Sequence, residues 1–141
     1  MPNSEKGILL DTHVWIWLFN GSTELGKDVI EQIDFAANRG KVFISAISVW
    51  ELSMLVAKNR VNLSQPIHQW VKDSLSQPGV NLSVMSPEIA IESSFLPGDF
   101  HGDPADRIIV ATARINNLLL LTRDKKIIRY GKQSYVSCLK I

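Results

Sequence analysis

GILLDTHVWIWLF, residues 7–19, joins two kinds of segment without a break. Ile8, Leu9 and Leu10 form an apolar run too short for a helix and read as a buried strand. From Thr12 to Phe19 the apolar residues continue over a length that suits a helix. At the joint stands Asp11, a carboxylate that is costly to bury unless it is hydrogen-bonded, paired or bound to a metal. The same join of acid and core segment recurs three times. Glu51 lies within SAISVWEL (45–52), Asp106 precedes Ile108, Ile109 and Val110, and Asp124 follows Leu118–Leu121 across Thr122 and Arg123. Four such acids, if gathered by the fold, repel one another and call for a divalent cation, Mg²⁺ or alternatively Mn²⁺, suited to phosphoryl chemistry.

Outward from this stretch the chain alternates strand-like and helix-like segments, without repeat, linker or low-complexity tract. After the break at 20–22, a helix is predicted over 26–38, with Val29, Ile30, Ile33 and Ala37 on one face and Gly40 past its end. Residues 42–45 read as a strand, and 48–59 as a helix burying Val49, Leu52, Leu55 and Val56. Pro66 opens a further helix carrying Ile67, Trp70, Val71 and Leu75. A strand at 80–85 and a short helix from Ser86 to about Phe95 follow, then a Pro- and Gly-rich loop over 96–102. A strong helix runs from Asp103-Pro104 to Asn117. Leu118–Leu121 shows no alternation and reads as a central strand covered on both faces; 135–139 reads as the last strand. Elements taking turns across short connections predict an α/β/α sandwich around a mostly parallel sheet, as a single domain over 1–141. Ligands of such sheets bind beyond the carboxyl ends of the strands, where Asp11 and Asp124 sit.

The bulk properties narrow the class. A chain of 141 residues, 45% hydrophobic and 21% charged, has the size and composition of one ordinary globular domain. The lone Cys138 cannot form an internal disulfide and excludes a cysteine-rich metal site. His13, His68 and His101 lack zinc-ligand spacing, and His101 reads as a loop residue. The start, Met1 to Lys6, shows no signal-peptide pattern, and no apolar run is long enough to span a bilayer, so a cytoplasmic protein is expected. Net charge is +1, but residues 107–141 hold eight Lys and Arg against the single acid Asp124. A basic final third attracts a phosphate backbone, although a solvated helix and tail would look the same. Trp15 and Trp17 stand two apart and cannot share a helix face, which leaves one of them for a partner.

Each acid also has a purely structural reading. Asp11 suits the N-cap of the helix that follows, a role that still leaves an oxygen exposed. Ser48-Val-Trp-Glu51 matches a capping box, and Asp103-Pro-Ala-Asp106 reads as cap, first-turn proline and first-turn acid. Asp124 could be a turn residue and Thr122 simply strand-forming. Only their conjunction on one sheet edge favours a site.

Four segments in order, LLDTHVWIW (9–17), SAISVWE (45–51), HGDPADRIIVA (101–111) and LLTRD (120–124), resemble the PIN domain, and more narrowly the VapC toxins of bacterial VapBC toxin–antitoxin pairs. The similarity spans about residues 8 to 131. It implies strand order 3-2-1-4-5 and a metal-dependent endoribonuclease. It implies that Asp11, Glu51, Asp106 and Asp124 are the metal-binding acids, with Thr122 beside the last and Asp103 in support. Ala105 departs from relatives that carry an aromatic there. The resemblance also implies a homodimer and a VapB-like antitoxin that covers the active site. Arg107, Arg123 and Lys125 flank the acids and are the expected RNA-steering bases. The alternative is a PIN-like module that grips RNA or a partner without cutting. A receiver domain would pair an acid with Asp11, and a haloacid-dehalogenase-type phosphatase needs Asp where His13 stands; neither pattern is present.

Overall fold

The computed structural model describes residues 6–141, so Met1 to Glu5, including most of the segment read for a signal peptide, lie outside the described residues. The elements are β1 (Ile8–Leu10), α1 (Thr12–Phe19), α2 (Lys27–Asn38), β2 (Val42–Ser45), α3 (Ala46–Ala57), α4 (Ile67–Leu75), β3 (Val80–Ser83), α5 (Pro87–Ser94), α6 (Pro104–Ile115), β4 (Leu119–Thr122), α7 (Lys125–Lys132) and β5 (Cys138–Lys140). The strands form one sheet in the order β3-β2-β1-β4-β5, and every pairing is parallel.

Strand alternation divides the core in two. Ile8 and Leu10 of β1, with Leu119 and Leu121 of β4, point into a cluster with Val14, Trp15, Ile33, Leu52 and Trp70. Leu9 and Leu120 point the other way, onto Ile89, Ile109, Val110, Ile127 and Tyr130. Both faces of the central strands are therefore dry, which is why they read as unbroken apolar runs rather than alternating ones. Trp15 is fully buried and meets Trp70 edge-on at 5.0 Å between ring centroids. Among the described residues, no helix is long and apolar enough to cross a membrane.

Several element boundaries differ from the sequence expectation. The cap of helix α3 lies three residues early, because Ser45 rather than Ser48 accepts the capping bond, from Ile47 N at 3.2 Å. Strand β3 stops at Ser83 instead of reaching Met85, and β5 occupies 138–140 rather than 135–139. Helix α7 was not foreseen. Its eight residues carry four bases and a glycine, and only Ile127 and Tyr130 are buried, too few to show a helical stripe.

The sheet grows outward from β1 in one direction through β2 and β3, and from β4 in the other through β5. The reversal lies between β1 and β4, whose Leu10 and Leu121 are in register. Crevices open at such switch points, beyond the carboxyl ends of the strands.

Candidate functional site

Asp11 and Thr122 occupy the crevice edge. Asp11 leaves β1 and caps α1, its backbone N–H donating to Leu121 O at 3.0 Å. Both of its oxygens are held: Oδ1 accepts from Thr12 N at 2.8 Å, and Oδ2 from the Thr122 hydroxyl at 2.6 Å. Thr122 Oγ1 in turn accepts from Asp124 N at 3.0 Å, so one hydroxyl fixes two acids. Asp124 caps α7 through Lys126 N and Ile127 N, at 2.8 and 3.1 Å.

Glu51 comes in from the neighbouring helix. With α3 capped at Ser45, Glu51 lies in its second turn and is not a capping-box residue. Its Oε1 accepts the Thr12 hydroxyl proton. Because that hydroxyl has one proton to give, the 2.8 Å contact between Thr12 and buried Ser48 must run from Ser48 to Thr12. Ser48 is thus a support of the site rather than a helix cap. Sequence reading missed it, because serine three residues before glutamate fits a cap equally well.

Asp103 caps α6 by accepting from Asp106 N at 2.9 Å, and Pro104 fills the first turn. Gly102 lets the loop close tightly: a Cβ there would stand 2.3 Å from the Phe100 ring and 2.9 Å from Asp106 Cβ. Carboxylate oxygens of Glu51, Asp103 and Asp106 all lie within 4.8 Å of one another. Asp103, ranked behind the other acids from sequence, therefore belongs to the tightest group. All five acids line one cavity of about 410 Å³, shared with His13, Val14, Trp17 and Arg123.

The charge state records this crowding. Asp106 is pushed up to about 7, first by burial and then by Asp103, Asp124, Asp11 and Glu51. Asp11 is raised by burial against the opposing bonds from Thr122 and Thr12, and Glu51 by burial against its Thr12 bond. The ion pairs His101–Asp99, Arg114–Glu92 and Arg123–Glu24 involve none of the five acids. An oxygen-only donor set with surplus negative charge is what a hard divalent cation takes. The residues fit such an ion, with Glu51, Asp103 and Asp106 able to reach it together.

The nearby bases divide. Arg107 donates to the carbonyls of Ser93, at 2.8 Å, and Phe100, at 2.7 Å, which ties α6 to α5 and its following loop. Arg123 pairs with Glu24, donates to the carbonyls of Glu24 and Ile141, and lies over the Trp17 ring at 4.7 Å. Lys125 is exposed at the start of α7. With Arg123, Ile128, Arg129, Lys132 and Lys140 it lines a second cavity of about 400 Å³. His101 is exposed in its loop, 3.0 Å from Asp99.

Known proteins resemble this chain in sequence and in fold. The sequence model of the PIN domain matches residues 8–133. Ribonuclease VapC22 of Mycobacterium tuberculosis is 32% identical over 120 residues, covering 85% of this chain and 88% of that protein. In fold, the chain is similar to VapBC2 from Rickettsia felis bound to a promoter DNA fragment, with TM-score 0.70 and 17% identity, covering 94% of this chain and 97% of that one. It is also similar to FitAcB from Neisseria gonorrhoeae, with TM-score 0.64 and 23% identity, covering 94% and 96%. A toxin–antitoxin complex from Klebsiella pneumoniae gives 0.62 and 24%, covering 96% and 100%.

Proposed function

This chain belongs to the PIN domain family, and from that premise we propose that it is a VapC-like endoribonuclease that hydrolyses RNA phosphodiester bonds with Mg²⁺ or Mn²⁺ and is restrained by a VapB-like antitoxin. The observation that carries the reading is the convergence of Asp11, Glu51, Asp103, Asp106 and Asp124 on one cavity. Ribonuclease VapC22 supports the activity, and the toxin–antitoxin complexes among the structural relatives support the partner.

Glu51, Asp103 and Asp106 are the residues to hold the ion, with Asp11 and Asp124 completing its surroundings. When bound, a divalent ion lowers the pKa of a water and offsets charge on the scissile phosphate. The protein's own contribution is positional. Thr122 holds the Asp11 carboxylate, and Ser48 and Thr12 hold Glu51, so hydrogen bonds set the orientation of both acids. Preorganised groups need not reorganise during the reaction. Water oxygen bonds to phosphorus, the bond to the 3′ oxygen breaks, and that oxygen takes up a proton. The products carry 5′-phosphate and 3′-hydroxyl ends.

Arg123 stands at the cavity wall with its charge shared with Glu24, whereas Lys125 opens the basic trough and is the better placed to meet RNA backbone. Arg107 serves the substrate indirectly, by fixing the start of α6. A second copy of the chain would cover the exposed Val84, Met85, Ile91 and Phe95 around α5.

Purified protein, freed of any antitoxin, is incubated with total tRNA and rRNA in Mg²⁺, in Mn²⁺ and in EDTA, beside Asp11→Asn. Discrete cuts that need metal and vanish in the variant are expected. Undiminished cutting by Asp11→Asn would remove Asp11 from the site.

A further inference from the structure

Helix α1 begins at the acidic cavity, and its spacing sets two aromatic rings on the cavity wall. His13 and Trp17 are four residues apart, hence neighbours on one helix face. Both line the cavity that holds the acids, together with Arg123. Their rings lie 5.9 Å apart at 50°, and the Arg123 guanidinium sits over Trp17. Arg123 is itself fastened by Glu24 and the Ile141 carbonyl. Trp17 is half-buried and packs on the core, whereas His13 is exposed.

The arrangement is more than packing needs. The neighbouring Trp15 is wholly buried, as a core residue of this helix should be. Trp17 instead stays at the cavity mouth, under a cation locked by three other groups, and carries the exposed imidazole against its ring. An exposed imidazole backed by a held indole beside a phosphodiester-cleaving site is a stacking surface. Its indole backing is already ordered, which lowers the entropy lost when a base stacks on it.

We propose that His13, backed by Trp17 and Arg123, is a stacking platform for an unpaired base next to the scissile phosphate. Bases within an A-form duplex are stacked on one another and cannot reach this wall, whereas splayed bases stack readily on aromatic rings. The proposal rests on the reading of the cavity as an RNA-cleaving site, and the test separates the two.

The binding arm uses a single-stranded oligoribonucleotide containing 2-aminopurine, titrated with Asp11→Asn protein so that it is not consumed. Stacking quenches the 2-aminopurine fluorescence. Quenching is expected with Asp11→Asn, is lost when His13→Ala is added, and is kept when His13→Phe is added instead. In the cleavage arm, His13→Ala and Trp17→Leu each raise KM for the unlabelled strand roughly tenfold, the loss of about one stacked base. The change in kcat stays within about threefold, and His13→Phe restores KM. His13-dependent quenching by a protein that never cuts RNA supports the platform and overturns the nuclease reading. Metal-dependent cutting with KM indifferent to His13→Ala overturns the platform. Failure of His13→Phe to restore KM, with a changed pH profile, also overturns it and assigns His13 a proton or metal role.

Discussion

Asp106 stands where burial and charge are in open conflict. Its carboxyl reaches about 7 because burial and four neighbouring acids oppose its ionisation. Between the ordinary carboxylate range and that value, the folded protein keeps a proton that the unfolded chain releases. Stability therefore falls as pH rises through this window, and Asp11 and Glu51, also raised, act in the same direction. In metal-free protein, Tm should fall from about pH 5 to about pH 8, and Asp106→Asn should flatten that slope and raise Tm at the upper end. A Tm of the unsubstituted protein that stays level across the window would contradict the cluster's repulsion. Saturating Mg²⁺ should restore Tm at high pH, since it binds the folded site alone. Thr122 makes a second prediction at this scale. Thr122→Val removes the bond to Asp11 and the acceptor for Asp124 N, and should cost roughly 10–100-fold in metal affinity or cleavage rate. Isothermal titration with Mn²⁺ reads this directly.

At the scale of elements, the site is assembled from helix starts. Asp11, Asp103 and Asp124 cap α1, α6 and α7, so the partial positive charge of three helix ends faces the acidic cavity. Capping and ion binding can be pulled apart at Asp124. Asp124→Ser keeps a cap acceptor and should leave stability nearly unchanged while losing most of the cleavage. Asp124→Ala should lose cleavage and also about 1 kcal/mol, read by urea unfolding. Equal stability of the two variants would mean that α7 does not depend on its cap. The acids were legible in sequence because each interrupts or borders an apolar run, and the strand tips placed two of them on one edge. What sequence could not rank was their spacing. Asp103 and Asp106 meet through the cap, but their approach to Glu51 comes from tertiary packing, and Ser48 changed role because α3 is capped at Ser45. His13 and Trp17 carry a legible signal, their four-residue separation after a strand-tip acid, which zinc-ligand spacing does not capture.

Across the whole molecule, one sheet carries both the core and the site. The unbroken runs of β1 and β4 disclosed central strands, and strand–helix alternation disclosed the layers, because both are imprints of burial on two faces. Helix α7 left little imprint, since a short basic helix buries only one edge. Leu120 lies at the centre of the second face, fully buried. Leu120→Ala should destabilise by roughly 2–5 kcal/mol. Carrying Leu9 in the same face, β1 would loosen with β4, and cleavage should fail at a lower temperature in step with unfolding. Activity lost at temperatures where circular dichroism remains native would place the defect in the site instead. The crowding around Asp106 also bears on how such a sequence persists. A library of this chain, screened for folding alone and grown without divalent metal, should drift toward Asn at position 106 and yield sturdier, inert proteins. Keeping aspartate there requires selection that can tell a working molecule from one that is merely folded.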